Sequence, residues 1–350
     1  MKTQGVRDDV YRLLKRGNSR RAMIFRFLQI GWYLSLHRKN YDLVYCVTAE
    51  LDVLICVLFL RLVLGFPIAV EMTLMGVDDP VTLMQGKRKI LKYISFPFIN
   101  AWILISKSFF GKMKQAGIAP RNLYYIPQGI EIQRFVPPNE AEKIKIREKL
   151  GLSGYEKIIV SIGATTYRKG IDRVLHVWES LSSEKNRDCL VWVGPTSSER
   201  ESAETKDYSY DEYIRGYVHQ SDRLSSSVKF TGKIDNVEDY LRAADLFLFL
   251  SRYEGMPNAV MEAMACGLPC IVSPLDGTSS EIIENGHTGF IVCNPDNIHE
   301  VTAVVSKLWA DTALRKTMGA AARHTVENRY TLEIRANAIS QIVKRIIGNR

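Results

Sequence analysis

Residues 251–292 read SRYEGMPNAVMEAMACGLPCIVSPLDGTSSEIIENGHTGFIV, and the fold turns on them. Just ahead, Leu246-Phe247-Leu248-Phe249-Leu250 is an apolar run, too short for a typical helix and aromatic enough for a buried strand. A turn follows over Arg252 to Pro257. A helix then starts near Pro257-Asn258, because proline at a first helical position forfeits only an orphan amide. Ala259, Val260, Ala263 and Met264 give it an apolar stripe, and Gly267 with Pro269 ends it before a short strand over Cys270 to Ser273. A strand that feeds a glycine-bearing turn into a helix start offers free backbone amides to an anion. Glu254 in the turn and Glu262 in the helix add carboxylates, and each carboxylate accepts paired hydroxyls of the kind a sugar ring or ribose presents.

The spacing of Glu254 and Glu262, inside EGMPNAVMEAMACGLPCIVS and followed by EIIENGHTGFIV, resembles the E-x7-E unit of the retaining, nucleotide-sugar-dependent glycosyltransferases of family 4. That resemblance implies an α/β GT-B fold: two doubly wound, Rossmann-like parallel-sheet domains facing a central cleft. It places Glu254 on donor-sugar hydroxyls, Glu262 on the ribose, and the helix start over Gly255, Met256, Pro257 and Asn258 beside the diphosphate. The loop GATTYRKG from Gly163 to Gly170 is similar to the family's diphosphate loop, with Lys169 at the lysine position. The family's arginine position there is Ala164, and Arg168 is the candidate replacement. VKFTG, ending at Gly232, resembles the loop beside the base, so Gly232 and Lys233 are candidates. Met75 stands where the family commonly has a histidine, and Gln128 where it usually has asparagine. The family works without a metal motif, and Asp78-Asp79 is not one; no cofactor is implied beyond the nucleotide-sugar substrate.

A chain of 350 residues at 46% hydrophobic and 24% charged makes two globular domains. Its six cysteines lack paired metal spacing and read as buried thiols of a reducing compartment. No secretory signal stands at the start, and Val53 to Leu64, the most apolar stretch, is too short to span a bilayer. The expected location is the cytoplasm, at the cytoplasmic face of a membrane if the basic half binds lipid. Residues 1–130 hold 19 Lys/Arg against 8 Asp/Glu, a net of +11, whereas residues 131–350 come to −2. Anionic lipid, a phosphate-bearing acceptor or nucleic acid would all suit that charge. No nucleic-acid motif accompanies it, so nucleic acid is the weakest of the three.

Along the first half, helices are expected over Val10 to Lys15 and Met23 to Leu36, the latter with Ile24, Phe27, Leu28, Trp32 and Leu36 on one side. Strands at Asp42 to Val47, Pro67 to Met72 and Trp102 to Ser106 alternate with helices, as in a parallel sheet. No strand with a glycine loop precedes Asp42, so the domain looks shortened at its beginning. Glu71, Asp78 and Asp79 are candidate hydroxyl ligands. The expected division is residues 1–140, residues 141–330 and a final helix over 331–350 that returns to the first domain, with 137–152 as the connection. Thr196 to Ser227 reads as a polar surface insertion. The expected activity is transfer of a hexose or N-acetylhexosamine from a UDP- or GDP-sugar to a glycan or lipid-linked acceptor in surface polysaccharide synthesis. A sugar-nucleotide-binding GT-B protein of impaired activity is the alternative. A sugar-nucleotide epimerase is disfavoured by Met75, and a dehydrogenase by the lack of G-x-G-x-x-G.

Overall fold

The computed structural model describes residues 29–47, 51–74, 79–85, 94–181, 187–199 and 208–348, with 51–56 and 83–85 as backbone alone. The expected helix at 10–15, the first part of that at 23–36, Met75 and Asp78 lie outside these residues. The chain divides into two compact units, one of residues 1–126 and 337–350 and one of residues 127–336.

Unit 1 carries a parallel sheet of β1 (Val44–Val47), β2 (Ile68–Met72), β3 (Ala101–Leu104) and β4 (Leu123–Tyr125), in that order. Every residue of β2 and β3 is buried, as expected of parallel strands covered on both faces. The helix Leu332–Gly348 reaches this unit with its later residues, where Ile342 joins Ala69, Ala101, Ile103 and Ile126 in one apolar cluster. The helical residues 29–36 differ from expectation. Trp32 and Leu36 are 68% and 61% exposed, while Gly31 and Leu34 face inward. The reason is close packing: a Cβ on Gly31 would stand 2.9 Å from the Phe59 ring, so the smallest residue, not the largest, sets the buried face. Glu71 and Asp79, weighed as hydroxyl ligands, are both buried and engaged within unit 1. Glu71 accepts from the Tyr45 hydroxyl, and Asp79 caps a helix by taking the amide and hydroxyl of Thr82 at 3.0 and 2.6 Å.

Unit 2 holds six parallel strands: β5 (Lys157–Ile162), β6 (Asp188–Val193), β7 (Val228–Phe230), β8 (Leu246–Phe249), β9 (Cys270–Val272) and β10 (Gly289–Ile291). Their spatial order is β10-β9-β8-β5-β6-β7. The chain therefore winds outward from β5 through β7, then returns to the other side of β5. Residues 127–139 group with this unit, since Ile130 bridges to Thr331 and Gly129 lies too close to the Thr331 carbonyl to admit a Cβ. The helix Glu140–Lys149 is fixed here as well, because Lys143 and Arg147 both bind Asp245 at 2.7 Å.

The segment expected as a surface insertion is part of the core. It forms helices Tyr208–His219 and Asp222–Ser227, and Ile214, Val218 and Leu224 are buried against Trp178 and Trp192. Three apolar side chains among many serines and charges make a narrow stripe, enough to cover one edge of the sheet.

Candidate functional site

In an open sheet of this type, ligands lie beyond the carboxyl ends of the strands where the winding direction reverses. Here the reversal falls between β5 and β8, which pair in register at Ile159–Leu246 and Val160–Phe247. The loop after β5 is residues 163–170 and the loop after β8 is residues 250–257, so topology alone brings the two expected motifs together.

The side chains complete that convergence. Lys169 Nζ lies 2.7 Å from one Glu254 carboxylate oxygen, and Arg168 Nη1 lies 2.7 Å from the other. Ser251 Oγ donates to the same oxygen as Lys169 at 2.8 Å. Glu254 is 9% exposed and Lys169 17%, so water screens the trio poorly. Burial alone would push the Glu254 carboxyl up, but Lys169 and Arg168 outweigh it and hold it below the usual range. Lys169 is shifted down as well, first by burial and further by Arg168, against the pull of Glu254. The two directions look contradictory until charges are counted: two cations share one anion, and the surplus positive charge is what an incoming anion would neutralise.

Glycines make this approach possible. The Lys169 stem lies across Gly163, where a Cβ would be 3.0 Å from its carbons. Gly170 sits at φ 67°, and a Cβ there would stand 2.2 Å from the Leu250 carbonyl, so no other residue fits. On the other loop, Gly255, Met256 and Pro257 are buried, and helix Asn258–Ala265 begins with Pro257 at its cap, one position earlier in role than expected. Met256 Sδ accepts the Gln128 amide at 3.3 Å, which ties residue 128 to this turn.

Glu262, one turn into that helix, is set apart. Among the described residues its carboxyl makes no hydrogen bond or ion pair, and burial raises its pKa; Arg134 offsets this only partly, because its guanidinium is committed to Glu238 and the Asp235 carbonyl. Gly232 and Lys233 lie on the loop after β7. There Glu199 reaches over: a Cβ on Gly232 would meet its Oε1 at 2.6 Å, and the Lys233 amide donates to that oxygen at 3.4 Å. Ala164 occupies the position between Gly163 and Thr165, and the guanidinium in the site is that of Arg168.

Residues 142–325 match the model of the family described as glycosyl transferases group 1. The chain belongs to this family. Among curated relatives, this glycosyltransferase is 25% identical over 75% of its length to a GDP-mannose-dependent monoacylated alpha-(1-6)-phosphatidylinositol monomannoside mannosyltransferase of Corynebacterium glutamicum. It is 25% identical over 85% of its length to the N-acetyl-alpha-D-glucosaminyl L-malate synthase of Bacillus anthracis. These alignments cover 66% and 72% of the relatives' own lengths. Among solved structures, Anabaena HepE in complex with UDP superposes with a TM-score of 0.76 at 17% identity, over 91% of this chain and 82% of that one. With its two parallel sheets, the glycosyltransferase has the GT-B fold. The Ser251, Asp172 and Arg252 contacts of this glycosyltransferase escape sequence reasoning; only the nearness of Asp172 and Arg252 to the two motifs was there to find. Among the described residues, no helix is long and apolar enough to cross a membrane.

Proposed function

We propose that this glycosyltransferase moves a hexose or N-acetylhexosamine from a UDP- or GDP-sugar to a hydroxyl of a glycan or lipid-linked acceptor, with retention at the anomeric carbon. The observation that carries the reading is the half-buried pair of cations, Lys169 and Arg168, sharing the single carboxylate of Glu254 at the reversal of the sheet. A diphosphate fits that surplus charge, and preorganised cations aimed at developing charge are commonly the largest contribution to catalysis. Glu262, half-buried and with no partner for its carboxyl among the described residues, is suited to the ribose hydroxyls. Gly232 and Lys233 would flank the base, and the amides of Gly255, Met256 and Asn258 would face the phosphates.

In the reaction, the bond from the anomeric carbon to the phosphate oxygen breaks and its electron pair stays on the diphosphate, between Lys169 and Arg168. The acceptor oxygen bonds to the same face of that carbon, and its proton passes to the departing phosphate. Nucleoside diphosphate and glycoside are the products, and two fixed cations supply the charge without assigning a step to a metal. Glu254, once the phosphates draw its cations away, is free to take donor-sugar hydroxyls. The relative named for a phosphatidylinositol monomannoside supports a lipid-linked acceptor at the cytoplasmic face of a membrane. The basic first 130 residues and the exposed Trp32 and Leu36 support it too.

The test is calorimetric titration with UDP and GDP, followed by transfer assays from UDP- and GDP-sugars to polyprenyl-diphosphate sugars and glycans. Saturable binding of one nucleotide and transfer of its sugar is the expected result. Binding with no transfer to any acceptor points to the impaired protein instead, and binding of neither nucleotide sinks the reading.

A further inference from the structure

We infer that Arg252 and Asp172 form a clasp that holds the loop 163–170 against the loop 250–257, and so are positioning residues for the Lys169–Arg168–Glu254 cluster. The inference rests on the donor-site reading above. Arg252 follows Ser251 by one residue, yet its side chain points away from Glu254. Its guanidinium pairs end-on with Asp172, Nη1 to Oδ1 at 2.9 Å and Nη2 to Oδ2 at 2.6 Å. The same Nη1 donates to the Tyr167 carbonyl at 2.5 Å, and the guanidinium Cζ lies over the Tyr167 ring, 3.6 Å from its centre. Tyr210, from the crossover helix, donates its hydroxyl to Asp172 at 2.8 Å and meets the Tyr167 ring edge-on.

Each contact falls on a residue adjoining the cluster. Tyr167 immediately precedes Arg168 and Lys169. Asp172 lies in the first turn of the helix Ile171–Ser180 that follows Lys169 and Gly170. The backbone carries the same connection, since the Arg252 amide donates to the Arg168 carbonyl at 2.8 Å, and Ser251 Oγ, the donor to Glu254, lies 3.0 Å from that carbonyl. Arg173 adds one more tie, from Nη1 to the Leu250 carbonyl at 3.3 Å. Neither Arg252 nor Asp172 contacts Glu254 or Lys169, so their effect on a ligand passes through the loops. Their side chains are 15% and 14% exposed, and a guanidinium that bonds a carboxylate with two nitrogens while lying over an aromatic ring is not replaced by lysine.

The experiment compares Arg252→Lys, Arg252→Ala and Asp172→Asn with the wild-type full chain. Hydrogen–deuterium exchange over 163–171 is measured beside the melting temperature, and UDP and GDP titrations beside transfer kinetics. The clasp predicts faster exchange confined to the two loops in all three variants and nucleotide affinity weaker by about tenfold, typical of coupled neighbours. It also predicts kcat lower by about 100-fold, as for misplacement of about an ångström. Millimolar guanidinium should restore part of the turnover to Arg252→Ala, and no such recovery is expected in Asp172→Asn. Unchanged exchange over 163–171 in Arg252→Ala and Asp172→Asn would overturn the clasp. Uniformly raised exchange with a lowered melting point would overturn it as well, by showing a general stability role. Exchange is read without ligand, so a wild type that bound neither nucleotide would remove the donor reading while the clasp was still judged.

Discussion

The two carboxylates of the turn and helix, eight residues apart, live in opposite surroundings. Glu254 has both oxygens engaged by cations and Ser251, and its pKa is held down. Glu262 is half-buried, yet has no hydrogen-bonding partner among the described residues, and its pKa is pushed up. Spacing in the sequence treats the pair as equals. What separates them is which elements arrive opposite: the loop after β5 delivers two basic residues to the turn, whereas Arg134, the cation that acts on the helix position, is bound elsewhere. In the proposed reading, one carboxylate is an internal counter-ion that a ligand displaces, and the other is an acceptor kept open.

Removing a cation from the crowded end should have the largest effect. Lys169→Ala leaves Glu254 paired with Arg168, so folding is preserved, and a lost preorganised donor at such a site costs about 100- to 1000-fold in kcat. Transfer within tenfold of wild type would mean that this end of the site does not meet the departing phosphate. Next comes Glu254→Gln, which leaves two cations facing each other without a counter-charge. Losing one partner of a buried ion pair is costly, about 3 kcal/mol. The variant should melt below wild type, and UDP or GDP should raise its melting point more than it raises the wild-type value, because the diphosphate then neutralises what Glu254 no longer does. An equal rise in both proteins would separate the nucleotide from the cations.

Much of this was legible in the chain. KIIVSI and LFLF announce buried parallel strands, and their loops carry the lysine and the glutamate in strand-loop-helix contexts. Gly170 could be expected to be special, since a tight turn into a helix demands positive φ. The clasp could not be read, because Asp172 and Arg252 lie 80 positions apart and only the reversal of the sheet makes β5 and β8 neighbours. The buried face of residues 29–36 was hidden for a different cause. Hydrophobic periodicity ranks Trp32 and Leu36 above Gly31, but close helix packing prefers the residue with no side chain. In Thr196 to Ser227 composition misled, since three aliphatic side chains in a serine-rich stretch suffice to cover the sheet.

The smallest expected effect, Glu262→Gln, tests the open end from two directions. The amide keeps one acceptor oxygen but loses the charge, and a hydrogen bond to a charged acceptor is worth about 1.5–3 kcal/mol. The donor KM should therefore rise about tenfold or more while kcat changes little. The stability change has the opposite sign. Burial raises the carboxyl's pKa in the folded chain, so at low pH both folded and unfolded forms are protonated and nothing is lost. As pH climbs through the ordinary glutamate range, the unfolded chain ionises first, and wild-type stability falls until the folded pKa is passed. Glutamine carries no such penalty. Glu262→Gln should melt above wild type at neutral pH, by at most a few degrees, and the difference should vanish below about pH 4. A variant less stable than wild type at neutral pH would show that the carboxyl is held by a partner after all, and the contrast between the two ends of the unit would then be one of degree.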